Sequence, residues 1–269
     1  MSRFARHDKE LKRIVQIAIA ALLLALPSLA GAAEKAVDLP TARGTTQRVL
    51  IDAPPNPVGS VVLLAGGTGD LKIDAAGRVR GLSNNQLVRS RALYVAAGFA
   101  VAVPDIAADL KDTADYRGNP AHGRDIAAVI AHMRALKGPV ALVATSRGAL
   151  SAANVMLKQS DALPDALVIT SGVLLGQSSS AEAQGDPARI RVPVLLVGHR
   201  DDTCRVTPPS GIAVYAARLT GASKVDTLLL SGGAPGQGNV CEAQGPHGFY
   251  GMDQQVVDAI TAWLKGNMR

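Results

Sequence analysis

VALVATSRGAL, residues 140–150, carries the strongest indication of how this chain folds. Its first half is an apolar run typical of a buried strand, and its second half favours a helix. Ser146 stands between them, with the small residues Ala144 and Gly148 two positions to either side. Small neighbours permit a turn so tight that its central residue adopts strained backbone angles. The turn would set the Ser146 hydroxyl at a helix N-terminus, where free N–H groups stabilise a negative oxygen.

Two interpretations of the pattern A-x-S-x-G remain open on these five residues alone. The pattern fits a nucleophilic serine in which Ala144 replaces the first glycine of G-x-S-x-G. It also fits a tight turn with an ordinary surface serine, because so short a pattern recurs by chance. A nucleophilic serine requires a base and an acid that orients the base, so the rest of the chain distinguishes the two.

The chain supplies both groups after Ser146, in the order acid and then histidine. An apolar predicted strand at 193–198 is followed by a charged loop that contains Asp201 and Asp202. His247 lies in the glycine-rich segment GPHGFYG before the last predicted helix. Ligand sites of open α/β sheets lie at the carboxyl ends of the strands, where these groups are expected. The sequence therefore predicts a Ser–His–Asp site.

The hydrophobic pattern predicts regular alternation of strands and helices. Continuous apolar strands indicate a parallel sheet buried on both faces. We expect an α/β fold with a doubly wound, mostly parallel sheet, helices on both faces and no large cap domain. The polar segment 172–191 is too short for such a cap, and a small lid and a mobile surface loop are the alternatives for it. Strands are predicted at 47–52, 59–65, 99–103, 140–144, 166–170, 194–197 and 224–230, and helices at 85–97, 121–136, 148–158, 212–219 and 254–264.

The first 33 residues have the composition of a secretory signal peptide. A basic segment at 2–13 precedes an apolar run at 14–29, and the small residues AGAA follow at 30–33. The apolar run is shorter than the ~20 residues that a membrane span needs. An uncleaved N-terminal anchor is the alternative to a cleaved signal peptide. We expect a signal peptide at 1–33, a single domain at 34–269, a periplasmic or secreted protein and no membrane association after cleavage.

Composition argues against nucleic-acid binding. The formal net charge is +6, and the first 33 residues hold five basic and two acidic residues, a net charge of +3. The remainder of the chain therefore has a net charge of +3, and it contains no basic run. The length suits one domain with a good core. No cofactor or metal motif is present, so we expect neither. The expected partner is a small-molecule ester or acyl substrate, with a monomer favoured and the oligomeric state open.

These features resemble the α/β-hydrolase superfamily, specifically its small, lid-poor dienelactone-hydrolase-like or esterase-like members. The resemblance covers about 48–264 and rests on the LAGGTG turn at 64–69, the serine turn, the acid loop and the histidine loop. It implies that Ser146 is the nucleophile, His247 the general base and Asp202 the acid. Asp202 is preferred to Asp201 because it lies nine residues after the proline that opens the strand, the common spacing in this superfamily. Dienelactone hydrolases proper use a cysteine nucleophile instead.

The same resemblance implies an oxyanion hole made of two backbone N–H groups. One is that of Arg147, the residue after the nucleophile. The other belongs to the glycine-rich turn, where we prefer Gly67 and take Thr68 as second choice. A phosphate-binding glycine loop is the alternative, although the turn lacks both G-x-G-x-x-G and G-K-S/T.

The chain has two cysteines, Cys204 and Cys241. One lies two residues after Asp202 and the other six before His247, so they become neighbours if both loops converge on Ser146. A disulfide would tie these loops together and add about 2–4 kcal/mol of stability in an oxidising compartment. Two free thiols or a metal pair are the alternatives, and neither C-x-x-C nor paired histidines accompany the cysteines.

The sequence thus predicts an exported serine hydrolase that cleaves carboxylic esters or related acyl compounds through an acyl-enzyme on Ser146. A serine peptidase or amidase of the same fold is one alternative, although peptidase members usually carry a propeller or a large cap. A binding protein without catalytic activity is the other alternative. Such a protein would not need to retain Ser146, Asp202 and His247 or the glycine-rich turn.

Overall fold

A single eight-stranded sheet organises the chain. The computed structural model describes residues 32–113, 115–136, 138–176 and 178–268, so almost all of the predicted signal peptide lies outside the described residues. The strand order is β1-β2-β4-β3-β5-β6-β7-β8; β2 runs antiparallel to both neighbours, and β3 to β8 are parallel. The strands are β1 (Ala32–Pro40), β2 (Thr46–Ala53), β3 (Ser60–Leu64), β4 (Ala100–Pro104), β5 (Val140–Thr145), β6 (Ala166–Thr170), β7 (Val194–His199) and β8 (Val225–Leu230).

Helices cover both faces of this sheet. Alternate residues of each parallel strand point to opposite faces, and because nearly all of them are apolar, both faces need a covering layer. Val62 and Leu142 pack in one core and Val61 and Val143 in the other. The doubly wound α/β fold is therefore confirmed. The helices are α1 (Gln86–Arg89), α2 (Arg91–Ala96), α3 (Pro120–Arg134), α4 (Gly148–Lys158), α5 (Ser210–Ala216) and α6 (Asp253–Asn267).

The helices divide between the two cores. Most buried apolar residues of α3, α4 and α5 belong to the core that contains Val62, whereas Ala121 of α3 lies in a small third cluster with Tyr116. Buried residues of α1, α2 and α6 belong to the core that contains Val61. None of the helices in the described ranges has the length and apolar character needed to cross a membrane.

The structure differs most from the predicted elements at two places, and the helix predicted at 212–219 also ends earlier, at Ala216. The helix predicted at 85–97 is interrupted at Ser90, whose hydroxyl donates a 2.6 Å hydrogen bond to the carbonyl of Gln86. A serine that bonds back to the preceding turn competes with regular helix geometry. Strand β1 was not predicted, because its sequence AAEKAVDLP mixes charged and apolar residues and becomes a strand through pairing with β2 at the sheet edge.

The segment between β6 and β7 is short and partly packed. Its described residues, 171–176 and 178–193, contain two single 3₁₀ turns, Glu182–Gln184 and Pro187–Arg189, and no helix long enough to form a cap. Its first residues lie against the serine turn, since the backbone N–H of Val173 donates to the carbonyl of Ser146 at 3.1 Å. The described part of this segment therefore forms no large cap.

Candidate active site

Ser146 occupies a strained turn between β5 and α4. Its φ of 51° lies in the left-handed region, which is unfavourable for a residue with a side chain. The neighbouring strand stabilises this conformation, because the N–H of Ser146 donates to the carbonyl of Thr170 at 3.0 Å. At Gly148 a Cβ would collide with the carbonyl of Leu64, so only glycine fits there. The turn leaves the Ser146 hydroxyl at the carboxyl edge of the sheet.

His247 and Asp202 lie next to Ser146 in a continuous chain of contacts. Nε2 of His247 is 3.1 Å from Oγ of Ser146, and Nδ1 is 3.0 Å from Oδ2 of Asp202. An ionised carboxylate can only accept, so a neutral His247 carries its proton on Nδ1 and leaves Nε2 free to accept from the serine hydroxyl. The fold thus brings together three side chains that are 101 and 45 residues apart in the sequence.

The turn after β7 separates the two aspartates. Asp202 is buried, and its Oδ1 accepts a 2.9 Å hydrogen bond from the backbone N–H of Cys204. Asp201 is exposed, and its N–H donates to Nδ1 of His199 at 3.1 Å. Nε2 of His199 lies 3.0 Å from the carbonyl of Gly232, which links the turn to the segment after β8. Asp202, and not Asp201, faces His247.

Thr207 is a further side chain in this site, and it was not identified from the sequence. Its buried hydroxyl donates to Oδ2 of Asp202 at 3.1 Å and lies 3.0 Å from Nδ1 of His247. It belongs to the same loop as Asp202, but no motif marks a threonine five residues after the acid. Its role follows only from the way the loop folds back.

A disulfide between Cys204 and Cys241 joins the acid loop to the segment that leads to His247. The two Cα atoms are 4.8 Å apart, and the cysteines are 37 positions apart in the sequence. Both residues line the cavity in front of Ser146. The predicted disulfide is therefore present, and the two cysteines are neither free thiols nor a metal pair.

The described part of the chain contains one cluster of groups with metal-ligand chemistry, Asp202, Cys204 and His247. The sulfur of Cys204 is bonded to Cys241, so it lacks the thiolate that binds a metal. The remaining two groups hydrogen-bond to each other. This arrangement fits an acid–base pair better than a metal site.

The glycine-rich turn after β3 approaches Ser146 closely. A Cβ at Gly66 would lie 2.8 Å from Cβ of Ser146, so the turn can be this near only with glycine there. Gly67 has a φ of 56° and lines the same cavity as Arg147. Among the described residues, none accepts a hydrogen bond from the backbone N–H of Gly67 or of Arg147. These two groups are available to a ligand oxygen next to Ser146.

An open cavity of about 390 Å³ lies in front of these groups. A second cavity, of about 330 Å³, adjoins it and is lined by Leu174, Leu175 and Arg205. Val206 lines both cavities. The residues that face the first cavity are Gly67, Leu82, Ser83, Asn84, Asn85, Gln86, Thr145, Ser146, Arg147, Cys204, Val206, Cys241, Glu242, Ala243, His247 and Gly248.

Known proteins resemble this chain in structure, although no protein-family model and no curated protein matches its sequence. A dienelactone hydrolase from Anabaena variabilis matches with a TM-score of 0.63 at 14% identity, over 88% of this chain and 98% of that one. The chain has the α/β-hydrolase fold. A cold-adapted esterase from an Arctic intertidal metagenomic library shares this fold with a TM-score of 0.59 at 16% identity, over 88% of this chain and 94% of that one.

A third α/β-hydrolase structure matches with the same TM-score as the second. A serine hydrolase homologue from Coxiella burnetii has a TM-score of 0.59 at 17% identity, over 86% of this chain and 97% of that one. The fold that this resemblance implied is thus confirmed in structure. In the α/β-hydrolase fold, the residue between β5 and the following helix stands at the carboxyl edge of the sheet, and here it is Ser146.

Proposed function

We propose that this chain is an exported serine hydrolase that cleaves carboxylic esters or related acyl compounds through an acyl-enzyme on Ser146. The observation that carries the proposal is the continuous contact from Ser146 through His247 to Asp202. A surface serine in a tight turn has no need of a histidine whose other nitrogen faces a buried carboxylate. The proposed roles are nucleophile for Ser146, general base and acid for His247, and orienting carboxylate for Asp202.

The reaction begins when Oγ of Ser146 attacks the substrate carbonyl carbon and Nε2 of His247 takes the hydroxyl proton. The carbonyl oxygen becomes negative and accepts hydrogen bonds from the N–H groups of Gly67 and Arg147, with Thr68 as second choice for the first donor. The bond to the alkoxy oxygen then breaks, and the leaving alcohol receives its proton from His247. Asp202 stabilises the imidazolium that exists between these steps.

Water completes the cycle on the acyl-enzyme. His247 takes a proton from a water molecule, whose oxygen attacks the acyl carbon of the ester on Ser146. Collapse of this second intermediate breaks the bond to Oγ of Ser146, which recovers its proton from His247. The products are a carboxylic acid and an alcohol, and no cofactor takes part.

The kinds of protein that share this fold support an ester substrate. Two of the structures named above are described as a dienelactone hydrolase and an esterase. The open cavity of about 390 Å³ matches small-molecule ligands, whose pockets span roughly 300–1,000 Å³. A serine at position 146 favours a simple ester over the chemistry of cysteine-dependent dienelactone hydrolases.

Export is the second part of the proposal. The leader-like sequence at 1–33 and the disulfide both favour a periplasmic or secreted protein. Expression of the full chain in a bacterium, followed by N-terminal sequencing of the product outside the cytoplasm, tests this part. We expect the product to start after Ala32 or Ala33. A product that keeps Met1 and stays in the cytoplasm would contradict export.

Hydrolysis of a p-nitrophenyl ester series, from acetate to long acyl chains, tests the chemistry. The matched variant is Ser146→Ala, and a fluorophosphonate probe reports whether the serine is nucleophilic. We expect turnover and labelling in the wild type and neither in the variant. Turnover of peptide p-nitroanilides in place of esters would favour the peptidase or amidase alternative. No turnover and no labelling would favour the idle binding protein.

A further inference from the structure

Arg117 is a buried cation whose bonding partners are all neutral. Only 3% of the surface of Arg117 is exposed to solvent. Nη1 donates to Oγ of Ser151 at 2.8 Å. Nη2 donates to three consecutive backbone carbonyls, those of Ala65, Gly66 and Gly67, at 3.0, 3.2 and 3.2 Å. None of the ion pairs among the described residues, which are defined by N–O distances of up to 4.0 Å, involves Arg117.

Such an arrangement is unfavourable unless the cation is needed where it lies. Burial without a counter-ion disfavours the charged form and lowers the pKa of Arg117. An arginine nevertheless stays protonated, because its ordinary pKa is so high. A neutral side chain of similar size would fill the space at lower cost. The three carbonyls that it binds belong to the turn next to Ser146.

The geometry of the peptide bond gives these contacts a direction. The peptide bonds of the described residues are all trans, and in a trans peptide the C=O and the following N–H point to opposite sides. The carbonyl of Gly66 points to Arg117, so the N–H of Gly67 points away from it. The carbonyl of Gly67 also points to Arg117, so the N–H of Thr68 points away from Arg117 as well. Gly67 lines the cavity in front of Ser146, and Arg117 does not.

Two neighbours make the contact tight. The hydroxyl of Tyr116 donates to the carbonyl of Thr68 at 2.8 Å, so four successive carbonyls are bound from one 3₁₀ turn, Tyr116–Gly118. At Gly69 a Cβ would collide with the Tyr116 hydroxyl and lie 2.8 Å from Nη2 of Arg117. Glycine at 69 therefore permits the guanidinium to reach the turn from behind.

We propose that Arg117 is a positioning residue for the oxyanion hole: it orients the peptide groups of Gly67 and Thr68 toward the substrate oxygen. The inference rests on the proposed function and identifies the group that holds its oxyanion donors in place. The planar guanidinium binds several carbonyls at once, which the single ammonium group of lysine cannot reproduce. Its positive charge also lies behind the turn, where it favours negative charge that develops on the other side.

The test compares Arg117→Lys and Arg117→Met with the wild type on p-nitrophenyl acetate. Titration with a fluorophosphonate probe counts the active sites, so that kcat is expressed per functional site. We expect kcat to fall about 10- to 100-fold in both variants while KM changes by less than about threefold. A trifluoromethyl ketone, which forms a tetrahedral oxyanion on Ser146, should lose affinity by the factor that kcat/KM loses.

Arg134→Lys is the matched control. Arg134 also binds a backbone carbonyl, that of Leu163, and it pairs with Asp165 near the start of β5, at the opposite end of that strand from Ser146. We expect this variant to lose stability and to keep the wild-type kcat per titrated site. Wild-type kcat in the Arg117 variants, or a rise in KM alone, would overturn the proposal.

The outcomes separate this inference from the proposed function. A wild type without turnover or labelling defeats both. An active wild type whose Arg117→Lys variant keeps its kcat defeats the positioning role alone. If neither Arg117 variant folds, Ser151→Ala decides, since it removes one of the four bonds to the guanidinium. We then expect kcat to fall about threefold at constant KM, and an unchanged kcat overturns the proposal.

Discussion

The hydroxyl of Thr207 donates a 3.1 Å hydrogen bond to Oδ2 of Asp202, the same oxygen that faces His247. Both side chains are buried, so no water substitutes freely for this contact. The bond restrains the carboxylate so that it remains directed at Nδ1 of the imidazole. In the proposed mechanism Thr207 therefore supports His247 indirectly, through the orientation of Asp202.

Replacement of Thr207 by valine should slow catalysis without changing the packing volume. We expect kcat/KM to fall about 3- to 10-fold, because one buried hydrogen bond contributes roughly 0.5–1.5 kcal/mol. Steady-state kinetics on p-nitrophenyl acetate measure this change. Thr207→Ser keeps the hydroxyl and should retain most of the activity. An equal loss in both variants would assign the effect to the methyl group instead.

Asp202→Asn should abolish most of the activity, and Asp201→Asn should not. An amide at 202 removes the charge that stabilises the imidazolium and favours the wrong tautomer of His247, at a cost of about 10⁴-fold in kcat. Asp201 is exposed and lies beside His199, so its variant is the matched control. Comparison of the two kcat values, with circular dichroism to verify folding, measures the effect. A reversed result would assign the role of the acid to Asp201.

Loss of the disulfide should lower both stability and activity. The double variant Cys204→Ala/Cys241→Ala frees a loop closed over 37 positions, and we expect the free energy of unfolding to fall by about 2–4 kcal/mol. Activity should fall because the backbone of Cys204 binds Asp202. Urea titration measures the stability. A reductant should lower the free energy of unfolding of the wild type and leave that of the double variant unchanged. An unchanged stability of the fully reduced wild type would contradict this.

His122 should make the protein sensitive to mild acid. Burial, with the nearby charges of Arg117 and Arg43, lowers the pKa of His122 to about 3, whereas its ordinary value is 6.5. Between these values the unfolded chain binds the extra proton, so stability falls as pH falls. From pH 7 to pH 5 this histidine should cost about 2 kcal/mol. Urea titrations of the wild type and of His122→Gln at both pH values measure the difference, and equal losses would contradict it.

The interior elements of the sheet were predicted well from the sequence. The predicted bounds of β6 and α4 coincide with those in the structure. Strand β6 is a short apolar run, and α4 is a longer segment of small and apolar residues that is buried over most of its length, so each local pattern favours one secondary structure. Strand β1 was not predicted from the sequence because edge strands carry charged residues and become strands through pairing with a partner strand.

The candidate site was only partly visible in the sequence. Ser146, Asp202 and His247 lie in recognisable loops, each after a predicted strand, so their convergence followed from strand order. Thr207 and Arg117 carry no motif. The contact of Thr207 with Asp202 exists only after their common loop has folded back, and the contact of Arg117 with the glycine-rich turn exists only after two distant segments have packed. Arg117 lies 50 to 52 residues from the carbonyls that it binds.

The linear pattern of apolar runs, glycines and polar loops was sufficient to predict the parallel sheet and the strained serine turn. It was also sufficient to predict the order of Ser146, Asp202 and His247 and the proximity of the two cysteines. These properties follow from local backbone preferences and from the rule that parallel strands end at the same edge. The partner of His247, the contact of Thr207 with the acid and the place of Arg117 behind the glycine turn depend on packing. Side-chain direction in a loop depends on distant segments, which local sequence does not encode.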